Sequence, residues 1–193
     1  METATKPKVE CDDKHIYRVD GVVKPGFTEM CKAIGFPDNP HWTEAGREEG
    51  TALSKWVLFL AKGNKASELP DERISGRVWG IRKFLTEHDL FFSGGETPLY
   101  NPALGYCVTP DLWGTLDGKP AVIEAKRGAK MKRHGLQTSA QALALAENGF
   151  HAERRFCLYL KNGDYALDEH DDQEDFECWR AIVAGYFAVE AYK

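Results

Sequence analysis

Asp111, Glu124 and Lys126 are the residues whose types and spacing could do chemistry together. Two carboxylates and an amine on one surface can hold a hard divalent cation and act on an anionic group beside it. Whether they meet depends on Asp117-Gly118, which lies between the apolar runs "DLWGTL" and "KPAVIEAK" and has the composition of a tight hairpin turn. With those two residues as the turn, Leu116 faces Lys119, Trp113 faces Val122, Asp111 faces Glu124 and Thr109 faces Lys126. Side chains alternate along a strand, so Thr109, Asp111, Glu124 and Lys126 share a face. The turn "NPAL", with Tyr100 opposite Gly105, brings Glu96 opposite Thr109 and onto that face as well. A bulge or a longer turn near Pro120 would change this register, because proline cannot donate to a ladder.

Like charges opposite each other destabilise a sheet. Asp111 facing Glu124 is comfortable when something positive lies between them: Lys126, and a cation such as Mg²⁺, which takes carboxylate oxygens and keeps waters or phosphate oxygens in its shell. The other reading is an exposed sheet face with a Lys126–Glu124 ion pair. Asp111 at hairpin register and the apolar run before Glu124 favour the cation site.

The segment after the hairpin, "KRGAKMKRHGLQ", sets Lys126, Arg127, Lys130, Lys132, Arg133 and His134 just before a predicted helix. Cations at a helix start oppose its dipole, and an anion docked there would be held by side chains and free N–H groups together; a solvated basic loop is the alternative. Gln137 and Gln141 lie on one face of that helix and either bond to a metal-bound water or a phosphate, or are surface glutamines. Arg47, one turn before Gly50, either holds a terminal phosphate or pairs with Glu44 or Glu48.

The elements that must position these residues are legible from periodicity. "HIYRVDGVVKPGF" predicts a short hairpin around Asp20-Gly21, Thr28 caps a short helix ending near Gly35, and "FPDNP" is a loop. Thr43 caps a helix through about Ala61, closed by Gly63, and Asp71 opens another with Ile74, Val78, Ile81 and Leu85 as its stripe. "ETPLY", "GYCVTPDLWGTL" and "KPAVIEAKR" read as three consecutive strands. "HGLQTSAQALALAEN" is a helix, "ERRFCLYL" and "DYALDE" form a hairpin across Asn162-Gly163, and Trp179, Ile182, Val183, Tyr186 and Phe187 mark a C-terminal amphipathic helix. This order predicts an α/β (α+β) domain with helices packed on a mixed sheet. The 193 residues suit one domain with a sizeable core, frayed over residues 1–12. No apolar run reaches membrane-span length, and "METATKPKVE" lacks a signal-peptide stretch, so a soluble intracellular protein is expected. Five scattered cysteines without a CxxC pair argue against a zinc ribbon or a disulfide scaffold and suit a reducing compartment. The net charge of −5 neither advertises a nucleic-acid binder nor excludes a local basic patch.

Pro110-Asp111, then "VIEAK" with Glu124 and Lys126, then Gln137 on the next helix resemble the PD-(D/E)XK nuclease superfamily. Within it the chain is most similar to the RecB-like and lambda-exonuclease-like branch of phages and bacteria, over most of its length. "GREEGTALSKW" resembles that branch's G-x-x-x-H helix, and "ETPLYNPALGYCVTPDLWG" its strand pair with an upstream glutamate. The resemblance implies a central mixed sheet flanked by helices, with a strand–strand–strand–helix–strand restriction-endonuclease-like core. It implies Mg²⁺ or Mn²⁺ held by Asp111 and Glu124, with the Ala125 backbone carbonyl and Glu96 as further ligands. Lys126 would position or activate the attacking water, and Gln137 would support the site. The implied activity is metal-dependent DNA hydrolysis, as an exonuclease in recombination or repair in the cytoplasm of a bacterium, phage-encoded or not. An endonuclease and a non-catalytic nucleic-acid-binding module on the same scaffold are the alternatives. A homo-oligomer, or recombination and helicase partner proteins, would fit this setting.

The sequence departs from that pattern in three places: Ser54 stands at the motif histidine, Gln141 at a tyrosine, and Val108 at a small residue. The cysteines lack the four-cysteine arrangement some relatives use for an iron–sulfur cluster, so none is expected. No Walker A pattern is present, so ATP is not an expected cofactor and any helicase motor would be another chain.

Overall fold

The computed structural model describes residues 6–36, 43–66 and 70–193. Of "FPDNP", residues 37–40 lie outside the described residues, as do residues 1–5 of the expected frayed N-terminus. The architecture is α+β. β1 (Val9–Cys11), β2 (Tyr17–Val19) and β3 (Val22–Lys24) form a small antiparallel sheet. Asp20 and Gly21 both take positive φ, 49° and 81°, as the expected Asp-Gly turn requires. Val9–Cys11 is therefore a paired strand, not part of a frayed end; Lys8 N–H bonds Asp20 Oδ1 at 2.9 Å and locks it in place.

α1 (Phe27–Ala33) begins one residue before the expected Thr28 cap, with Gly26 as its N-cap. Gly26 is needed there because a Cβ would meet the Tyr17 ring at 2.8 Å. α2 (Glu44–Ala61) and α3 (Glu72–Glu87) start at the expected caps: Thr43 Oγ1 accepts from Gly46 N at 3.1 Å, and Asp71 Oδ1 from Arg73 N at 2.9 Å.

β4 (Leu90–Gly94) follows, a strand not among those the periodicity predicts. β5 (Leu99–Asn101), β6 (Tyr106–Val108) and β7 (Leu112–Leu116) come next. The single strand expected over "GYCVTPDLWGTL" is thus broken at Thr109-Pro110-Asp111, where proline removes a ladder donor. β6 leaves the main sheet to pair with β5 as a two-stranded ribbon, and β4 takes the place beside β7.

β8 (Lys119–Lys126), α4 (Arg133–Glu147), β9 (Arg154–Leu160), β10 (Tyr165–Glu169) and α5 (Glu174–Glu190) complete the chain. The main sheet runs β10-β9-β8-β7-β4, with β8 and β9 parallel through the α4 crossover and the other pairs antiparallel. One face packs on α1, α4 and α5 through Met30, Tyr106, Val122, Leu145 and Trp179. The other packs on α2 and α3 through Leu53, Ile81, Phe84, Leu112 and Ile123. β8 is buried on both faces, and the run "AVI" before Glu124 is the consequence. No helix among the described residues is long and apolar enough to cross a membrane.

Candidate active site

The β7–β8 register is the one the Asp-Gly turn dictates. Asp117 and Gly118 have φ of 50° and 80°, Leu116 pairs with Lys119, and Trp113 pairs with Val122. Asp117 anchors the turn by accepting from Asp89 N at 2.9 Å, and it shares a 2.7 Å bond with His88 Nδ1. Regular pairing stops at Leu112–Ile123, one step short of Asp111–Glu124. Asp111 instead turns its carboxylate onto β8, where Oδ2 accepts from Ala125 N at 2.7 Å. Leu112 and Ile123 face the α2–α3 side, so by alternation Asp111, Glu124 and Lys126 face the α4 side.

Glu96 reaches this cluster by a corrected register. Tyr100 pairs with Cys107, not Gly105, because Asn101 Oδ1 accepts from Leu104 N at 2.9 Å and lengthens the turn. The shift is two residues, which preserves the face and, carried past the paired residues, sets Glu96 against Asp111 instead of Thr109. Glu96 N bonds Pro110 O at 2.8 Å. A Cβ at Gly95 would lie 2.3 Å from the Asp111 carbonyl oxygen, so only glycine lets the chain pass so close. Glu96 itself takes φ of 50°, a left-handed conformation costly for a non-glycine residue.

From the helix side, α4 delivers two amides. Gln137 donates Nε2 to Glu124 Oε1 at 2.7 Å and accepts from Lys126 Nζ at 2.8 Å; Lys126 also donates to Glu124 Oε1 at 2.8 Å. Gln141 donates Nε2 to Glu124 Oε2 at 2.6 Å. Asp111 and Glu124 are 8% and 5% exposed, so their charges are felt strongly. Burial, then Glu124, then Glu96 push the Asp111 carboxyl well above the usual range, against the partial relief of Lys126 and the Ala125 N–H. Burial also raises Glu96, reinforced by Glu124 and opposed by Asp111 and Ser54. Burial pulls Lys126 down, but Glu124 and Asp111 outweigh it and hold the ammonium above its ordinary value.

Glu96, Asp111, Glu124, Gln137 and Gln141 form the floor of a cleft of about 840 Å³, and Lys126 is bonded to Glu124 and Gln137 without lining it. The Lys14–Tyr17 turn and the start of α1 make one wall; Arg47, Thr51 and Ser54 of α2 make the other. Among the described residues no three His, Cys, Asp or Glu side chains are already drawn into a metal cage. The donor set nevertheless fits a hard cation: three carboxylates are opposed by one ammonium, all ligand atoms are oxygen, and the buried Gln141 Oε1 has no partner.

No family model matches the chain, and no curated protein is similar to it. The site therefore stands on its own geometry.

The structure brings Glu96, Asp111, Glu124, Ala125, Lys126 and Gln137 together. Arg47 lines the cleft but is ion-paired with Glu44. The basic run does not line the cleft. Arg127 pairs with Glu49 at 3.0 Å, Lys130 with Asp168 at 2.5 Å, and Lys132 and Arg133 flank the start of α4. Two of the expected phosphate contacts are corrected outright. His134 is buried and shares a 2.7 Å bond with the Tyr159 hydroxyl, and Gln141 is 1% exposed with its donor on Glu124. Sequence reasoning missed Lys14, Lys32 and Thr51 on the cleft walls and the Tyr17–Thr109 hydroxyl pair at 3.1 Å. The helical spacing of Arg47, Thr51 and Ser54 is the signal that marks the α2 wall.

His134 also sets a pH dependence of the fold. Burial, with Lys126 and Arg133 nearby, pushes its imidazole from 6.5 down to about 3. The unfolded chain therefore binds a proton between those values that the folded chain refuses, so stability falls as pH drops below the ordinary histidine range. From pH 7 to pH 5 His134 should remove about 2 kcal/mol. Urea unfolding of the native chain and His134→Gln at both pH values measures this; an equal pH response in the two would refute it.

Proposed function

We propose that the chain is a divalent-cation-dependent deoxyribonuclease of the PD-(D/E)XK type, working as an exonuclease in DNA recombination or repair. The observation that carries this reading is the meeting of Asp111 and Glu124 across one hairpin at the floor of an open cleft, with Lys126 bonded to Glu124. The element order supports it: α3 leads into antiparallel β4, β7 and β8, and α4 crosses to parallel β9, with the β5–β6 ribbon inserted.

Asp111, Glu124, the Ala125 carbonyl and Glu96 would hold Mg²⁺ or Mn²⁺. When bound, the cation would act as Lewis acid toward the scissile phosphate and as a template for the entering and leaving oxygens. Lys126 is an ammonium held above its ordinary pKa, so it works as a donor and not as a base. It orients the attacking water and offsets charge growing on the phosphate oxygens. Gln137 fixes both ends of that arrangement by accepting from Lys126 and donating to Glu124. Glu96 orients water from the opposite side. Water adds to phosphorus in line as the P–O3′ bond breaks, leaving a 5′-phosphate and a 3′-hydroxyl. Ser54 gives Glu96 a hydroxyl neighbour in place of the imidazole expected from the motif.

A cytoplasmic setting and homo-oligomeric, recombination or helicase partners belong to the same reading. A non-catalytic DNA-binding module is the second reading, favoured by Ser54 at the motif histidine and by the basic run outside the cleft. Linear duplex DNA with Mg²⁺ or with EDTA separates them: EDTA-sensitive loss of the linear substrate is expected, and binding without cleavage would sink the nuclease reading. Covalently closed circles that survive mark the exonuclease; circles that are cut mark an endonuclease.

Glu96 offers a trade-off in this frame. Glu96→Asn keeps a side chain that tolerates positive φ and removes one of the crowded carboxylates. Unfolding free energy without cation should rise by about 1 kcal/mol. Cleavage should fall roughly 10- to 100-fold. Denaturant curves and cleavage rates measured on one preparation check both signs.

A further inference from the structure

The second amide of α4 is placed in a way the reading above does not use. Gln141 is 1% exposed, lines the cleft floor beside Asp111 and Glu124, and spends its only donor group on Glu124 Oε2. Its Oε1 has no hydrogen-bond partner although it is buried. The amide cannot relieve this by turning over. Turned over, its oxygen would face Glu124 Oε2, an acceptor set against an acceptor, and the 2.6 Å bond from Nε2 would be lost. The nitrogen must face Glu124, so the carbonyl is left pointing elsewhere. A buried acceptor without a donor is unfavourable and is kept where something supplies the donor.

This orientation decides what Gln141 can recognise. A phosphate oxygen is an acceptor, as Oε1 is, so the phosphate contact expected from the sequence is chemically mismatched. The complement of Oε1 is a proton donor or a cation. The same floor holds three carboxylates against one ammonium, so a hydrated divalent cation supplies both charge and donors.

We propose that Gln141 is a positioning residue whose carbonyl oxygen accepts a hydrogen bond from the hydration shell of the cation held by Asp111 and Glu124. It thereby couples the helix that orients Glu124 to the ion itself. The proposal rests on the cation reading above. It makes the glutamine at the motif tyrosine position part of the metal site: the tyrosine is replaced by a residue with one donor side and one acceptor side, each with its own target.

The test is calorimetric titration of the DNA-free full chain with Mn²⁺ alone, for the native chain, Gln141→Met and Gln141→Glu, with circular dichroism showing that each is folded. Methionine keeps the length and removes both polar atoms; glutamate keeps an acceptor and loses the donor to Glu124. The expected result is weakening of Mn²⁺ affinity by roughly 10- to 100-fold in Gln141→Met, and affinity kept or strengthened in Gln141→Glu. Unchanged affinity in Gln141→Met, or equal weakening in both variants, would overturn the proposal and leave Gln141 as a prop for Glu124 alone. If the native chain takes up no Mn²⁺, the cation reading itself fails, and this inference with it. The two failures are therefore distinguishable.

Discussion

Replacing Lys126 with methionine lowers DNA cleavage by roughly 10³-fold while strengthening Mn²⁺ binding, two effects of opposite sign from one substitution. The ammonium donates to Glu124 Oε1 and Gln137 Oε1, both at 2.8 Å, and so is bonded directly into the acidic floor. Without it the water and the developing phosphate charge lose their fixed donor, so the rate falls. The carboxylates of Glu96, Asp111 and Glu124 then repel one another with less compensation, so an incoming divalent cation is bound more tightly. The cation-free variant should also unfold about 3 kcal/mol more easily, because removing one partner of a buried ion pair leaves the Glu124 side chain with only amide donors. Saturating Mn²⁺ should restore most of that loss. Single-turnover cleavage, Mn²⁺ titration and urea unfolding with and without Mn²⁺ measure the three arms. Undiminished cleavage by Lys126→Met would remove the ammonium from the mechanism, and weaker Mn²⁺ binding would refute the electrostatic account.

How much of this could be read beforehand depends on whether a feature is local. The Asp117-Gly118 turn was legible, because both residues must take positive φ and a two-residue turn then fixes every pair along the hairpin. That count and the two-residue period put Asp111 and Glu124 on one face at the end of the ladder, and the Ala125 N–H, one step past the last pair, holds Asp111 there. The neighbouring turn was not legible, because its length depends on Asn101 bonding Leu104 N instead of closing tightly. Strand β4 was hidden because Phe91 is 73% exposed on an edge strand, so Leu90-Phe91-Phe92 shows no alternation and reads as a continuation of α3.

The burial of His134 and Gln141 was hidden for a different reason. Their types suggest a polar surface, but α4 is buried nearly all round: Ala140 and Ala144 let it approach the sheet closely, and their neighbours are buried whatever their polarity. The small residues of "LQTSAQALALA" carry that signal.

The close approach of α4 depends on Arg155, whose substitution by methionine is expected to cost about 3–4 kcal/mol of unfolding free energy. Arg155 is 4% exposed on β9. Its Nη1 donates to Gly135 O at 3.0 Å, to Ser139 Oγ, and to Asp175 Oδ2 at 3.3 Å; Nη2 donates to Asp172 O at 2.7 Å. The guanidinium carbon lies 4.4 Å from the Phe176 ring centroid, adding a cation–π contact. One side chain therefore ties β9 to the first turn of α4 and to the start of α5. The approach is tight enough that a Cβ on Gly135 would sit 2.2 Å from Asp175 Oδ2. Methionine fills the volume but strips the Asp175 carboxylate of its ion-pair partner and Asp172 O of its donor, while Gly135 O keeps the Thr138 and Ser139 hydroxyls; the broken ion pair and the lost tie between elements are where the cost arises. Arg155→Lys should cost less, about 2 kcal/mol, because a point charge satisfies some of these acceptors but cannot span them as the planar fork does. Urea midpoints at constant m-value rank the three proteins, and equal midpoints would mean the clamp contributes nothing. Gln137 lies two residues beyond Gly135 on the same helix, so loosening that turn also moves the amide joining Lys126 to Glu124. At temperatures where Arg155→Met is still folded, cleavage should therefore fall further than its folded fraction, and a rate that tracks the folded fraction alone would separate the clamp from the site.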